Sequence, residues 1–183
     1  MLRNILFIIS MLLMLAVPVQ MIYTYENILD EGEIHRFKPR PIDPSNPFQG
    51  RYVRLYFEDR ELEYTGARDI FERGNMAYVS LEKDAEGISH AKQIYLSPPK
   101  DQAYVKVEIS SSGKEHVRFR YPFSEYYMNE KMAPLAETEV RKHSNRNEVE
   151  VYVDVRIKDG EGIIEQLYVK DQPIEDFLRE RME

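Results

Sequence analysis

The chain has no cysteine. That removes disulfides, thiolate nucleophiles, cysteine-ligated zinc and a lipidated N-terminal cysteine together, and leaves the compartment open. Basic residues are in deficit as well: the formal net charge is −7 over 183 residues. Arg3 is the one charged side chain among residues 1–23, so residues 24–183 hold 24 basic and 32 acidic groups, a net of −8. A domain of that sign lacks the basic footprint of a nucleic-acid binder and has little polybasic attraction for anionic lipid. P-loop, G-x-G-x-x-G and G-x-S-x-G patterns are missing, which removes sequence support for nucleotide binding and for a serine nucleophile. The four histidines, His35, His90, His116 and His143, fall in no H-x-H or H-E-x-x-H spacing. No metal site and no cofactor is expected.

What is present suffices for one ordinary core, with 43% apolar residues. Ten prolines and eight glycines are near average usage and argue against wholesale disorder. Charge is also missing from Asn4 to Tyr25, a run with its apolar heart at Ile5–Val19 behind Arg3. A membrane span needs about 20 residues to cross a hydrocarbon layer about 30 Å thick, and Tyr23 and Tyr25 stand where an interfacial aromatic belt belongs. A cleaved signal peptide would want small residues at −3 and −1, and Ala16–Gln20 offers no clean site. A buried core helix is the third reading. The uncleaved anchor is favoured, with residues 1–25 as anchor, 26–32 as a short polar linker or the helix's last turn ended by Gly32, and 33–183 as one domain. Arg3 and the terminal amine precede the span, while Glu26, Asp30, Glu31 and Glu33 follow it. The positive-inside rule then sets the N-terminus in the cytoplasm and the domain outside it.

The domain alternates with period two in several runs. Val53, Leu55 and Phe57 oppose Tyr52, Arg54 and Tyr56. Ala77, Val79 and Leu81 form a second set, Val105, Val107 and Ile109 a third, and Val117, Phe119 and Tyr121 a fourth. The clearest strand is Glu148–Lys158, followed by an Asp159–Gly160 hairpin signal and a return strand over 163–170. Glu33–Lys38 and 88–97 are weaker strands, Ser110–Lys114 reads as a turn, and Arg60–Arg73 is a loop or a short helix around Ala67–Arg73. The 3.6-residue pattern predicts a helix over about 133–143, with Pro134 in its first turn, after an extended approach at Tyr126–Glu130. Pro173–Arg181 is a terminal helix. The fold class is β-rich α+β: an N-terminal transmembrane helix, then an antiparallel sheet or sandwich of seven or eight strands with one packed helix and a short C-terminal helix.

One stretch stands apart. Pro41, Pro44 and Pro47 make a stiff arm that passes through Gly50 into the first strong strand. Gly50-Arg51-Tyr52-Val53-Arg54-Leu55-Tyr56-Phe57 resembles the signature of the GDYXXLXY family, bacterial membrane-anchored proteins of unknown function. Gly50, Tyr52 and Leu55 match; Arg51 replaces the family's Asp, and Phe57 its final Tyr. Pro41-Ile42-Asp43-Pro44 and Pro47-Phe48-Gln49-Gly50 are similar to the Pro-x-Asp-Pro and Phe-Arg-Gly elements of the family. Leu15-Ala16-Val17-Pro18 followed by Met21-Ile22 resembles its anchor. Tyr126-Tyr127-Met128-Asn129-Glu130 is similar to its Tyr-Phe-Val-Pro-Glu. The resemblance implies a fold and a place in the bacterial inner membrane, but no reaction.

Candidate site residues follow from these motifs. Asp43, between two prolines, suits an Asx-type turn. Gly50 and Leu55 read as backbone and core. Tyr52, Arg54 and Tyr56, with Arg118, Arg120, Tyr126 and Tyr127, are exposed-face or loop candidates of interface type, and Glu130 lies near the last motif. The expected function is a non-catalytic accessory or interaction module docking on another membrane or envelope protein. A small-ligand-binding envelope domain is the first alternative and would show a pocket of at least about 300 Å³ with converging polar groups. A carboxylate-dependent envelope hydrolase is the second and would show two carboxyls roughly 5–10 Å apart in a cleft.

Overall fold

The structure, a computed structural model, describes residues 2–40, 52–64, 71–113, 115–144 and 150–182. Helix α1 (Leu2–Glu31) leads into β1 (Glu33–Phe37) and β2 (Pro39–Arg40). Strands β3 (Tyr52–Arg54), β4 (Tyr56–Phe57) and β5 (Glu61–Glu63) follow, then β6 (Met76–Lys83), β7 (Ser89–Tyr95), β8 (Tyr104–Ser112), β9 (His116–Arg120) and β10 (Glu125–Tyr127). Helix α2 (Ala133–Ser144) precedes β11 (Val151–Lys158), β12 (Glu161–Val169) and β13 (Gln172–Pro173), and α3 (Ile174–Met182) ends the chain.

The apolar run is helical, and the helix does not stop at Tyr25. It continues through residues 26–31, so the expected 26–32 segment is the helix's last turns, ended at Gly32, whose N–H closes the last turn on Ile28 O at 2.9 Å. Its stretch from Asn4 is 28 residues long, about 42 Å at 1.5 Å per residue, and is long and apolar enough to cross a membrane. The described large side chains of this stretch up to Tyr25 are exposed, Met14 by 80% and Tyr23 by 71%, so the buried-core-helix reading fails. The far end does pack: Ile28 is buried, and Lys158 on β11 reaches Asn27 Oδ1 at 3.0 Å and pairs with Glu31.

Two antiparallel sheets form the body. One has the order β1-β11-β12-β13, the other β5-β9-β8-β6-β7, and two-stranded ribbons β3-β10 and β2-β4 accompany them. Alternation positions the inward residues as expected: Ala77 and Val79, Val105, Val107 and Ile109, and Val117 and Phe119 are all buried. β11 is inaccessible on both faces for most of its length, because Tyr152 lies under the Tyr168 ring at 4.9 Å and Asp154 is bonded by Arg36 at 2.9 Å. The Asp159–Gly160 turn forms with φ of 51° and 83°. A side chain at Gly160 would lie 2.7 Å from the Tyr104 ring, so glycine serves both the turn and the close approach.

Three local expectations change. The turn expected at Ser110–Lys114 is mostly strand: β8 runs to Ser112, with Ser111 and Ser112 paired to Arg118 and Val117 beyond a bulge after Ile109. β5, hidden in a charged stretch, exists because β9 pairs with it. The described end of the segment read as a possible helix around Ala67–Arg73 is not helical; Phe71 is buried with its ring 4.9 Å from Tyr64, and Ala67–Ile70 lies outside the described residues.

One contiguous core draws on both sheets, both ribbons, α2 and α3. Its centre is aromatic. Phe37, Phe57, Tyr121 and Phe123 meet with ring centroids 5.1–5.5 Å apart, mostly edge to face. α2 contributes Ala136 and Val140, and α3 Ile174, Phe177 and Leu178. The helices are fastened by a polar cluster. His143 Nδ1 lies 2.6 Å from Glu150 and its Nε2 3.4 Å from Glu139, which also accepts from Arg181 at 2.8 Å.

The two sheets meet along a seam, where Arg36 bridges Ile88 and Gly160 bridges Val105. Two histidines beside it have opposite surroundings. His35 is buried with Nδ1 3.0 Å from Ser89 Oγ; burial lowers its pKa and outweighs Glu33, which pulls the other way. His90 lies between Asp59, 2.6 Å from Nδ1, and Asp84, 3.0 Å from Nε2. Desolvation opposes its charge, but the hydrogen bonds to Asp84 and Asp59 outweigh it and raise the pKa. Only the doubly protonated ring donates to both carboxylates at once. The His90 contribution to stability is therefore full below the ordinary value near 6.5 and is lost as pH rises through the higher folded value, whereas His35 costs stability as pH falls below 6.5. An NMR titration should put His90 above 6.5 and His35 below it, and Asp59→Asn with Asp84→Asn should bring His90 down; a His90 midpoint already below 6.5 contradicts this.

Candidate functional site

The site is built on the β3-β10 ribbon and the chain that continues from it. Backbone pairing sets Glu125 opposite Arg54, Tyr126 opposite Val53 and Tyr127 opposite Tyr52. Opposed residues share a face. Tyr52, Arg54, Glu125 and Tyr127 thus lie on the outer face, with the Tyr52 and Tyr127 rings 5.6 Å apart and Arg54 3.5 Å from Glu125. Leu55 N–H donates to Ser124 O at 2.7 Å and extends the match. The alternation then carries into β4, where Phe57 is buried and Tyr56 is exposed.

This places most of the expected residues and corrects one. Tyr126 is not an exposed-face residue. It is 8% exposed, because it opposes Val53 and shares that residue's inward face. Its hydroxyl donates to Glu175 at 2.7 Å and accepts from Gln166 at 3.1 Å, and burial, then the Glu175 bond, pushes its pKa up. Tyr126 thus fastens the ribbon to α3. Leu55, at 1% exposure, is core as expected. Arg118 is on the solvent face of β9, paired with Glu61 at 2.8 Å. Glu130 is exposed in the turn before α2, where Asn129 accepts from the Lys131 N–H at 3.0 Å. Asp43 and Gly50 lie outside the described residues.

Two open clefts adjoin the ribbon. The first, about 300 Å³, is lined by Arg54, Tyr56, Arg60, Arg120, Tyr121 and Glu125 among others. Arg60 lies over the Tyr56 ring at 5.3 Å, and Arg54 is 5.8 Å from the Tyr52 ring. Arg120 shares Glu108 at 3.3 Å. Three arginines thus line one cleft together with Glu125, in a domain of net negative charge. The second cleft, about 410 Å³, runs along Phe123, Tyr127, Gly162 and Ile163 to Tyr25 on α1. Phe123, Ser124 and Glu125 line both. The two carboxyls of the second cleft are held by guanidinium groups, Glu125 by Arg54 and Glu165 by Arg156 at 2.7 Å. Among the described residues, no group of three His, Cys, Asp or Glu side chains is placed to hold a metal ion.

The sequence groups Arg54, Tyr56 and Arg120 among the candidate surface residues but gives no signal for Arg60 or Tyr25 in the clefts. Arg60 follows a strand in a charged stretch with no periodicity, and Tyr25 was read only as an interfacial residue.

The sequence pattern described as GDYXXLXY protein matches residues 14–167, from inside α1 to β12. That is most of the chain. It belongs to the GDYXXLXY family. Neither a curated protein nor a solved structure matches it. For this family member the structure divides the signature between two tasks. Val53, Leu55 and Phe57 fill the core, while Arg54 and Tyr56 line the arginine cleft and Tyr52 flanks it.

The division is testable by unfolding the detergent-solubilised chain in denaturant. Leu55→Ala should cost about 2–5 kcal/mol, the range for a buried leucine. Tyr56→Ala should cost under about 1 kcal/mol, because it is a surface change. Equal costs would mean that the signature is not split in this way.

Proposed function

We propose that this GDYXXLXY protein is a single-pass protein of the bacterial inner membrane, with its domain outside the cytoplasm, and that it works as a non-catalytic binding module. α1 is the anchor, uncleaved, and the charge flanks set its direction: Arg3 before the span, Glu26, Asp30 and Glu31 after it. The unbroken helix through Glu31 supports retention of the anchor, since no extended segment separates the apolar run from the domain. The observation that carries the binding function is the cleft lined by Arg54, Arg60 and Arg120. Guanidinium groups are suited to carboxylate or phosphate oxygens through paired N–H donors. The cleft receives an anionic group presented by another membrane or envelope component. Anchoring raises the effective concentration of the domain near such partners.

Two measurements test this. A C-terminal reporter that is active only outside the cytoplasm should be active, and activity from a cytoplasm-only reporter would reverse the topology. A photo-crosslinking amino acid in place of Tyr56, in cells making the full chain, should yield an adduct that falls at least about tenfold with Arg60→Glu, as expected if one charge-assisted contact worth about 1.5–3 kcal/mol is lost. Indistinguishable adducts at Tyr56 and at Lys92, unaffected by Arg60→Glu, would overturn the cleft as a binding site.

A further inference from the structure

The second cleft, about 410 Å³, is bounded by two runs of consecutive residues, 122–127 and 162–165, with Tyr25 of α1 beside them. A strand turns successive side chains to opposite faces, so a cleft on one face meets every second residue. A cleft that meets each residue in turn lies along the strand's edge. Both edges here are open. β12 pairs with β11 along its length, but with β13 only at Tyr168 and Val169. β10 pairs with β3 on one edge and with no strand on the other. Among the described residues, no backbone group outside β11 bonds to the backbone of residues 162–165. The next part of the β12 edge is covered by side chains: Gln166 Nε2 donates to Leu167 O and to the Tyr126 hydroxyl, each at 3.1 Å. Residues 162–165 have no such cover. Glu165, the extra residue of the bulge between the Asp154–Gln166 and Val155–Ile164 pairs, gives its carboxylate to Arg156 at 2.7 Å.

We infer that this cleft takes an extended segment of another polypeptide, which joins β12 as an added strand and is held mainly by main-chain hydrogen bonds. The two edges lack N–H and C=O partners at strand spacing, and an extended peptide supplies both. A lipid or a small anion offers neither series. β10 stands across the cleft from β12 and is tied to it through Tyr126 and Gln166, which leaves room for a single chain and not for the flank of a second sheet. Side chains of the segment meet Tyr25, Ile163 and Tyr127. The carboxylates of Glu125 and Glu165 already hold Arg54 and Arg156, so the cleft does not select a basic peptide. The site adjoins the arginine cleft and does not depend on it. With α1 as the anchor proposed above, Tyr25 sets the cleft beside the end of the span, and the segment is a stretch of the partner that lies close to the bilayer.

The test uses the full chain in detergent. Hydrogen exchange followed by NMR should find rapid exchange at those amides of residues 162–165 that point away from β11, with Val153 and Val155 protected. Slow exchange throughout residues 162–165 means that the edge is already filled, by this chain or by a second copy, and overturns the inference. Heptapeptides selected from a random displayed library should protect the same amides on binding. Successive N–H groups of a strand point to opposite sides, so N-methylation of at least one of two successive central amides in a selected peptide should weaken binding about tenfold or more, whereas alanine at either position should weaken it less than about threefold. Arg60→Gln should leave peptide binding unchanged. Loss of binding with Arg60→Gln moves the peptide to the arginine cleft, which overturns the strand site and supports the anionic one. Selection of no peptide above background, protection confined to other amides, or tolerance of both methylations overturns the strand site and leaves the arginine cleft untouched.

Discussion

The contact of four rings, Phe37, Phe57, Tyr121 and Phe123, is the constraint on which the rest of the structure depends. Each comes from a different local context: β1, β4, the residue just after β9 and the approach to β10. Each such pair contributes about 0.5–1.5 kcal/mol beyond its buried area. The larger effect is geometric. Phe37 fixes the edge of one sheet, Phe57 fixes the signature segment, and Tyr121 and Phe123 fix the exit from the other sheet. Once they meet, Leu55 is opposite Ser124 and the β3-β10 ribbon has one register available. The arginine cleft is the outer surface of that arrangement, since Tyr121 and Phe123 form its floor while Arg54, Tyr56 and Arg60 border it.

Much of this fold was legible because a strand with one buried face has a period of two, and a one-residue slip would expose every inward side chain. Val105–Ile109 and Val151–Ile157 declare themselves in that way. Helix α2 was legible from Pro134 at its start and its apolar spacing. What was not legible depends on partners distant in sequence. Glu61–Glu63 has no intrinsic strand character and is a strand because β9 offers it backbone groups. Tyr126 was misassigned because three residues are too few to fix an alternation phase; only the pairing with Val53 decides which way its ring points. The cleft was legible as residue types and not as a place. Arg54 and Arg120 are 66 positions apart, and no spacing rule connects them with Arg60.

A family signature is often read as the imprint of a shared activity. Here its residues answer to two different demands on alternating positions of one strand. Val53, Leu55 and Phe57 are required by the core whatever the protein does. Arg54 and Tyr56 present their outward side chains to the cleft, and Tyr52, which the signature specifies, shares that outward face, so the split follows strand alternation and not which positions the signature names.

The union of α1 with the domain has a mechanical consequence. Asn27 and Glu31 are helical and bonded to Lys158 of β11, Ile28 between them is buried, and Gly32 alone separates the helix from β1. A bead on a slack string explores a hemisphere above the bilayer and presents any side to its surroundings. A head welded to its stalk keeps one height and one tilt, and turns only about the stalk's own axis. In the topology proposed above, whatever meets this protein comes to the rim of that circle at a set distance from the lipid, and a partner bound to the head exerts torque on the helix.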